Sequence, residues 1–194
     1  MSTERFERTI AAIDAVNAED PNRIVVRGEE RPKELAHPEL MTEWVTRMCP
    51  DASDEQLIAA RAHHIKRWAM PRSDYPDGRT GYLRWRTALK ELHAQLVGKA
   101  MAKEGYPPDW IQRVQDIIRK KDLGRDPDVQ VHEDALCLVF IETQFTELAA
   151  RLHEEKMVDV VRKVLNKMSD QGRELALALD LPQDDLAIIS RAMS

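Results

Sequence analysis

Glycine is scarce in this chain, seven in 194 residues, and β-branched residues come only in short groups. Good helix formers (Ala, Leu, Glu, Arg and Lys) fill the space instead, which points to an all-α protein. Cysteine is nearly absent. Cys49 and Cys137 are too few for a disulfide framework, and Cys137 sits in an apolar run where a buried thiol is the plain reading, so a reducing compartment is expected. Also missing is any stretch of about 18 apolar residues that would span a bilayer, and the opening MSTERFERT is charged where a signal peptide needs an apolar segment. These absences predict a soluble, cytoplasmic protein with no membrane partner. The length suits one sizeable core, so residues 1–194 are expected to form a single compact multi-helix domain.

Excess positive charge is missing overall: the formal net charge is -5 and the pI about 5.7, which disfavours general binding to nucleic acid. The cations that exist are concentrated. Between Arg61 and Lys90 lie Arg61, Lys66, Arg67, Arg72, Arg79, Arg84, Arg86 and Lys90, against only Asp74 and Asp77. The same stretch holds His63, His64, Trp68, Tyr75, Tyr82 and Trp85. Arginine forks grip phosphate or carboxylate oxygens, and rings at this density stack on a base or sugar, so an anion site is one reading. A loop braced by arginine–carboxylate pairs, with the aromatics as core anchors, is the other.

Apolar spacing predicts a first helix through Phe6, Ile10, Ile13 and Val16 after Ser2 and Thr3, ending near Asn17–Pro21. After a polar connection, a second helix starts at His37–Pro38. Ser53 with Gln56 forms a capping box for a third, from Asp54 to about Ala69. Pro71, Pro76 and Gly78 interrupt regular structure. A fourth helix runs from about Gly81 to Lys103, a fifth from Asp109 to Lys121, and a sixth, capped by Asp126 and begun by Pro127, has an apolar centre at Ala135–Ile141. Three more are expected at His153–Lys167, Ser169–Leu179 and Gln183–Met193.

On a continuous third helix, Arg61, His64 and Trp68 share a face and His63 lies about 100° round, which makes His64 the inward histidine. On the fourth, Tyr82, Arg86, Leu89 and His93 form a stripe with Lys90 at its margin. Glu133 and Asp134 precede the apolar run of the sixth helix, where a carboxylate must be solvated, paired with a cation or bound to metal. His64, His93 and Asp134 therefore supply the ligand types of a divalent transition metal (Mn, Fe, Ni or Zn). The alternative leaves both histidines hydrogen-bonded and has Asp134 neutralise Arg61 or Arg86. His37, His132 and His153 are read as structural.

The string Arg61-Ala62-His63-His64-Ile65-Lys66-Arg67-Trp68, with Pro71-Arg72, Tyr75-Pro76, Gly81-Tyr82-Leu83, Trp85-Arg86, His93-Ala94, Glu133-Asp134 and Lys167-Met168-Ser169, resembles a DUF4202-like domain-of-unknown-function family over nearly the whole chain. Some of its members carry a glutamyl-tRNA synthetase label, but no nucleotide-binding sheet can be read in this sequence. A second resemblance is to the HD superfamily of helical, metal-dependent phosphohydrolases. It implies an HD-like helical core with His64 as the first metal ligand, His93 as the doublet histidine and Asp134 as the distal aspartate; Ala94 replaces the doublet's aspartate.

Three functions follow as expectations. The first is a metal-dependent hydrolase of a small phosphorylated metabolite or nucleotide, with His64, His93 and Asp134 on the ion and Glu133 as catalytic base. Arg61, Trp68, Arg72, Arg79, Tyr82, Arg86 and Lys90 would hold the substrate. The second is a non-enzymatic binder of an anionic metabolite through the same arginines and rings. RNA binding is the third, and the overall acidity counts against it. An exposed apolar helix face would support a homodimer.

Overall fold

A computed structural model of the chain describes residues 4–193, so the expected caps Ser2 and Thr3 lie outside the described residues. The fold is all-α apart from one small hairpin. The chain divides into two compact units, Met1–Lys121 and Asp122–Ser194. No helix among the described residues is long and apolar enough to cross a membrane.

In the first unit, α1 (Glu4–Asn17) buries Ile13, and the expected polar connection after it is a β-hairpin. Strands β1 (Arg23–Val26) and β2 (Glu29–Pro32) pair antiparallel, Val26 opposite Glu29. The short β-branched run Ile24-Val25-Val26 favours a strand. The turn has φ of 53° at Arg27 and 84° at Gly28, both in the left-handed region that two-residue hairpins require.

Helix α2 (Lys33–Met48) begins four residues before His37, so Pro38 lies inside it. Two acceptors from the preceding loop start the helix early: the Asn22 carbonyl takes the Lys33 N–H at 2.9 Å, and Asp20 Oδ2 takes the Glu34 N–H at 2.9 Å. Helix α3 (Asp54–Arg61) has the expected capping box, Gln56 N–H to Ser53 Oγ at 3.3 Å and Ser53 N–H to Gln56 Oε1 at 2.9 Å. It stops eight residues short of Ala69. Lys66 adopts a left-handed φ of 54°, its N–H donates to Asn17 Oδ1 at 3.2 Å, and the chain continues as short 3₁₀ turns at Arg67–Ala69 and Arg72–Asp74.

Helix α4 (Gly78–Lys103) starts earlier than expected and needs a glycine at position 81, where a Cβ would stand 1.8 Å from the Pro76 carbonyl oxygen. Helix α5 (Pro108–Arg119) packs on α3 and α4. Gln115 Nε2 donates to the Ala94 carbonyl at 2.9 Å, and the Ile117–Ile118 face is buried.

The second unit is built on α6 (Pro127–Arg151), capped by Asp126, with α7 (Glu154–Leu165), α8 (Asp170–Leu177) and α9 (Gln183–Met193) around it. Leu138, Ile141 and Phe145 of α6 are buried, as are Met157, Val161 and Ile189. Thr146 Oγ1 donates to Asp185 Oδ2 at 2.6 Å, tying α6 to α9.

Asp134 locks α8 onto α6. Its Oδ1 accepts from the Ser169 N–H at 2.9 Å and from Gln130 Nε2 at 3.0 Å, while Oδ2 accepts from Ser169 Oγ at 2.5 Å. Ser169 in turn caps α8 through the Gly172 N–H, and a Cβ at Gly172 would lie 2.8 Å from the Asp134 carboxyl carbon. Gly172→Ala and Asp134→Asn are each expected to destabilise the chain by about 1–3 kcal/mol, since both disturb a buried carboxylate that accepts three hydrogen bonds. Urea unfolding measures this; midpoints equal to wild type in both variants would show that the lock contributes nothing.

Candidate functional site

The turn after α3 gathers the histidines of the first unit. Because the helix ends at Arg61, the face expected for His64 does not exist, and the two adjacent histidines trade places. His63 is 5% exposed, whereas the His64 side chain keeps 19% of its surface in solvent. Their rings stand 4.2 Å apart, and His64 lies 5.7 Å from His93 of α4. His93 is buried, its Nδ1 bonded to the Ile65 carbonyl at 2.9 Å. That bond places the ring proton on Nδ1, so Nε2 carries a lone pair, buried and with no hydrogen-bond partner. A hollow of about 20 Å³, room for one water or ion, lies between these three rings and the side chains of Arg67, Arg86, Lys90 and Lys120.

Glu34, on the first turn of α2, is only 4% exposed. Its Oε2 lies 3.1 Å from His64 Nδ1 without forming a hydrogen bond, and its Oε1 lies 3.7 Å from Arg67 Nε. Arg67 also approaches His64 Nε2 at 3.2 Å and covers the Trp85 ring at 4.9 Å. One turn along α2, His37 brings a ring nitrogen into the same group: ligand atoms of Glu34, His37 and His64 all fall within 4.8 Å of one another. On the outer side of Glu34 opens a crevice of about 550 Å³. Arg23, Lys33, Arg67 and Arg72 supply its positive charge, and Trp68 and Trp85 its walls.

Burial dominates the electrostatics. It pushes the Glu34 carboxyl above its ordinary range, and it lowers His37 to about 4 and His93 to about 3. His64 is held well below 6.5 by burial and then by the Arg67 charge. Burial therefore keeps His37, His64 and His93 in the neutral form at physiological pH.

The expected substrate residues divide. Trp68 and Arg72 line the crevice, although Arg72 also braces its own loop by donating to the Tyr75 and Pro76 carbonyls at 2.7 and 2.8 Å. Arg86 and Lys90 line the histidine hollow. Arg86 donates to Tyr82 Oη at 3.2 Å, and Lys90 reaches the Arg119 carbonyl at 3.5 Å. Tyr82 is 43% exposed, and Arg79 is exposed. Arg61 lines neither space: it forms a two-pronged pair with Asp14 at 2.5 and 2.7 Å and reaches Glu39 at 3.3 Å, so its charge is already neutralised. Asp14 and Glu39 are thus the carboxylates that balance Arg61, in place of the Asp134 weighed for that role.

The resemblance to HD enzymes implies an ion on His64, His93 and Asp134. The two histidines fit as neutral donors. Asp134 belongs to the second unit, where its Oδ1 accepts from the Ser169 N–H and Gln130 Nε2 and its Oδ2 from Ser169 Oγ. Glu133, expected as a base, is buried in the same unit with Lys167 Nζ 3.9 Å from its Oε1. The sequence did not single out Arg23, Lys33 or Glu34; Arg67 stood only among the basic residues of the 61–90 stretch, and His37 was read as structural. A signal for two of them was present: Glu34-x-x-His37 is a spacing that puts a carboxylate and an imidazole on one helix face.

Neutral buried histidines make acid stability a test of this arrangement. Folded pKa values below the ordinary 6.5 mean that the unfolded chain binds more protons as pH falls. The histidine contribution is complete above about pH 6.5 and is lost on descent toward the folded values near 4 and 3. Glu34, shifted upward, offsets part of this loss. The urea midpoint is expected to drop between pH 6.5 and 4.5, and less steeply in His93→Gln, whose amide can still donate to the Ile65 carbonyl. A midpoint constant over that interval would refute neutral burial.

No curated protein and no solved structure matches this chain. A family model described as domain of unknown function (DUF4202) matches residues 7–189, which include the Glu34–His37–His64 group and the crevice. The chain belongs to the DUF4202 family.

Proposed function

We propose that the protein is a metal-dependent phosphohydrolase, HD-like in kind, acting on a small phosphorylated metabolite or nucleotide in the crevice of the first unit. The observation that supports this is the position of Glu34. It is a buried carboxylate at the junction between a cationic, tryptophan-walled crevice and a cluster of neutral imidazoles. Arg23, Lys33 and Arg67 are the cations offered to phosphate oxygens, and a guanidinium such as Arg67 can hold two of them at once. Trp68 is the ring offered to a base or sugar. A divalent transition ion (Mn, Fe, Ni or Zn) would lower the pKa of a water and polarise the phosphoryl group.

A second reading, a non-enzymatic binder of an anionic metabolite, has its own support. Ala94 stands where HD enzymes carry an aspartate, its carbonyl accepting from Gln115, and the Asp134 carboxylate serves α8. One set of measurements separates the two. The full chain, supplied in turn with each of the four ions, is assayed against a panel of phosphomonoesters and nucleotides. Calorimetric binding of nucleoside monophosphates is then measured after chelation. Hydrolysis that needs the ion and falls at least about 10-fold in kcat/KM in Arg67→Ala is the expected result. No turnover, with salt-sensitive binding that survives chelation, would replace the hydrolase by the binder. Neither turnover nor binding would remove both.

A further inference from the structure

We propose that Glu34, His37 and His64 form a mononuclear transition-metal site of two imidazole nitrogens and one carboxylate oxygen. The set differs from the one implied by the HD resemblance, and it stands on ligand geometry whether or not the substrate is phosphorylated.

Glu34 and His37 are three residues apart on α2, so one helical turn presents both to the same side. That turn is fixed from behind, since Asp20 Oδ2 holds the Glu34 N–H, and Asp20 Oδ1 accepts from the N–H and the side-chain amide of Asn22 at 2.9 and 2.8 Å. His64 comes from the turn after α3, which Asn17 holds at the neighbouring Lys66 N–H. The third ligand therefore approaches from a separate, independently braced segment.

The distances suit an ion. Ligand atoms at about 2.0–2.2 Å from a metal stand roughly 3.0–3.5 Å apart along a coordination edge. Glu34 Oε2 and His64 Nδ1 are 3.1 Å apart with no hydrogen bond between them, and all three ligand atoms lie within 4.8 Å, a modest contraction from closure. A buried carboxylate oxygen without a hydrogen bond is costly, and a cation at this point would relieve that cost. An ion on Nδ1 of His64 would place the ring proton on Nε2, where the Arg67 guanidinium, now 3.2 Å away, could no longer donate; Glu34 Oε1, 3.7 Å from Arg67 Nε, is the acceptor that would remain to it.

Two imidazoles with one carboxylate, and no sulfur, select Zn²⁺, Co²⁺, Ni²⁺, Fe²⁺ or Mn²⁺ over Mg²⁺ and Ca²⁺. Three protein ligands leave coordination positions open, as reactive sites do and purely structural ones do not.

The test uses the full chain stripped with chelator and titrated with Co²⁺, followed by displacement with Zn²⁺. Wild type is expected to take up one Co²⁺ per chain, with visible d–d bands, no thiolate charge-transfer band and a raised Tm. Glu34→Gln, His37→Ala and His64→Ala should each weaken binding about 10-fold or more, while Asp134→Asn leaves it unchanged. Circular dichroism checks that each variant is folded. Wild type that takes up no stoichiometric Co²⁺ overturns the site without reference to any variant. So does affinity that is unaffected in Glu34→Gln and His37→Ala but lost in His93→Ala or Asp134→Asn. Ion uptake without phosphatase turnover would leave this site standing and remove only the hydrolase reading.

Discussion

After α3 ends at Arg61 the chain continues in i→i−3 turns, and two of its backbone groups are held by side chains from elsewhere in the first unit. Asn17 at the end of α1 accepts from the Lys66 N–H, and His93 on α4 donates to the Ile65 carbonyl. Everything distinctive about the site depends on this exchange. With it go a buried His63, a His64 ring 3.1 Å from Glu34, and a His93 ring held through Nδ1 beside the hollow. The cost of a left-handed Lys66 is accepted because the alternative, a straight helix, would leave Asn17 Oδ1 without that donor and point His64 elsewhere.

Glu34 is the electrostatic counterpart of that turn. Carboxylates are rarely this buried without full bonding, and here one oxygen relies on proximity to an imidazole and the other on a guanidinium 3.7 Å away. The neighbourhood mixes signs at close range, with neutral imidazoles inside and cations around them.

Local chemistry made much of the fold readable. The Ser53–Gln56 box, the Asp126–Pro127 start of α6 and the Pro107–Pro108 start of α5 act over a few residues, and each element appears where those residues place it. What the sequence hid was decided at long range. Nothing between Arg61 and Met70 forbids a helix; the break is made by Asn17, 49 residues away, just as Arg61 is claimed by Asp14, 47 residues away. Pro38 suggested a first-turn proline, yet in the second turn it forfeits only one hydrogen bond, and the acceptors at Asn22 and Asp20 move the start back to Lys33. His37 thereby shifts from a helix cap to a place one turn after Glu34 on the same side of α2. The cationic, ring-rich character of the 63–86 stretch was readable, but its partners Arg23 and Lys33 come from the overlooked hairpin region.

Arg67 borders both the histidine hollow and the tryptophan-walled crevice, so a single side chain forms part of the wall of each. A partition of this kind is not part of the backbone scaffold. It hangs on four rotatable bonds and is steadied by a ring face, a carboxylate and an imidazole. The lining of both spaces consequently depends on one rotamer, and a shorter residue at this position would alter the two at once.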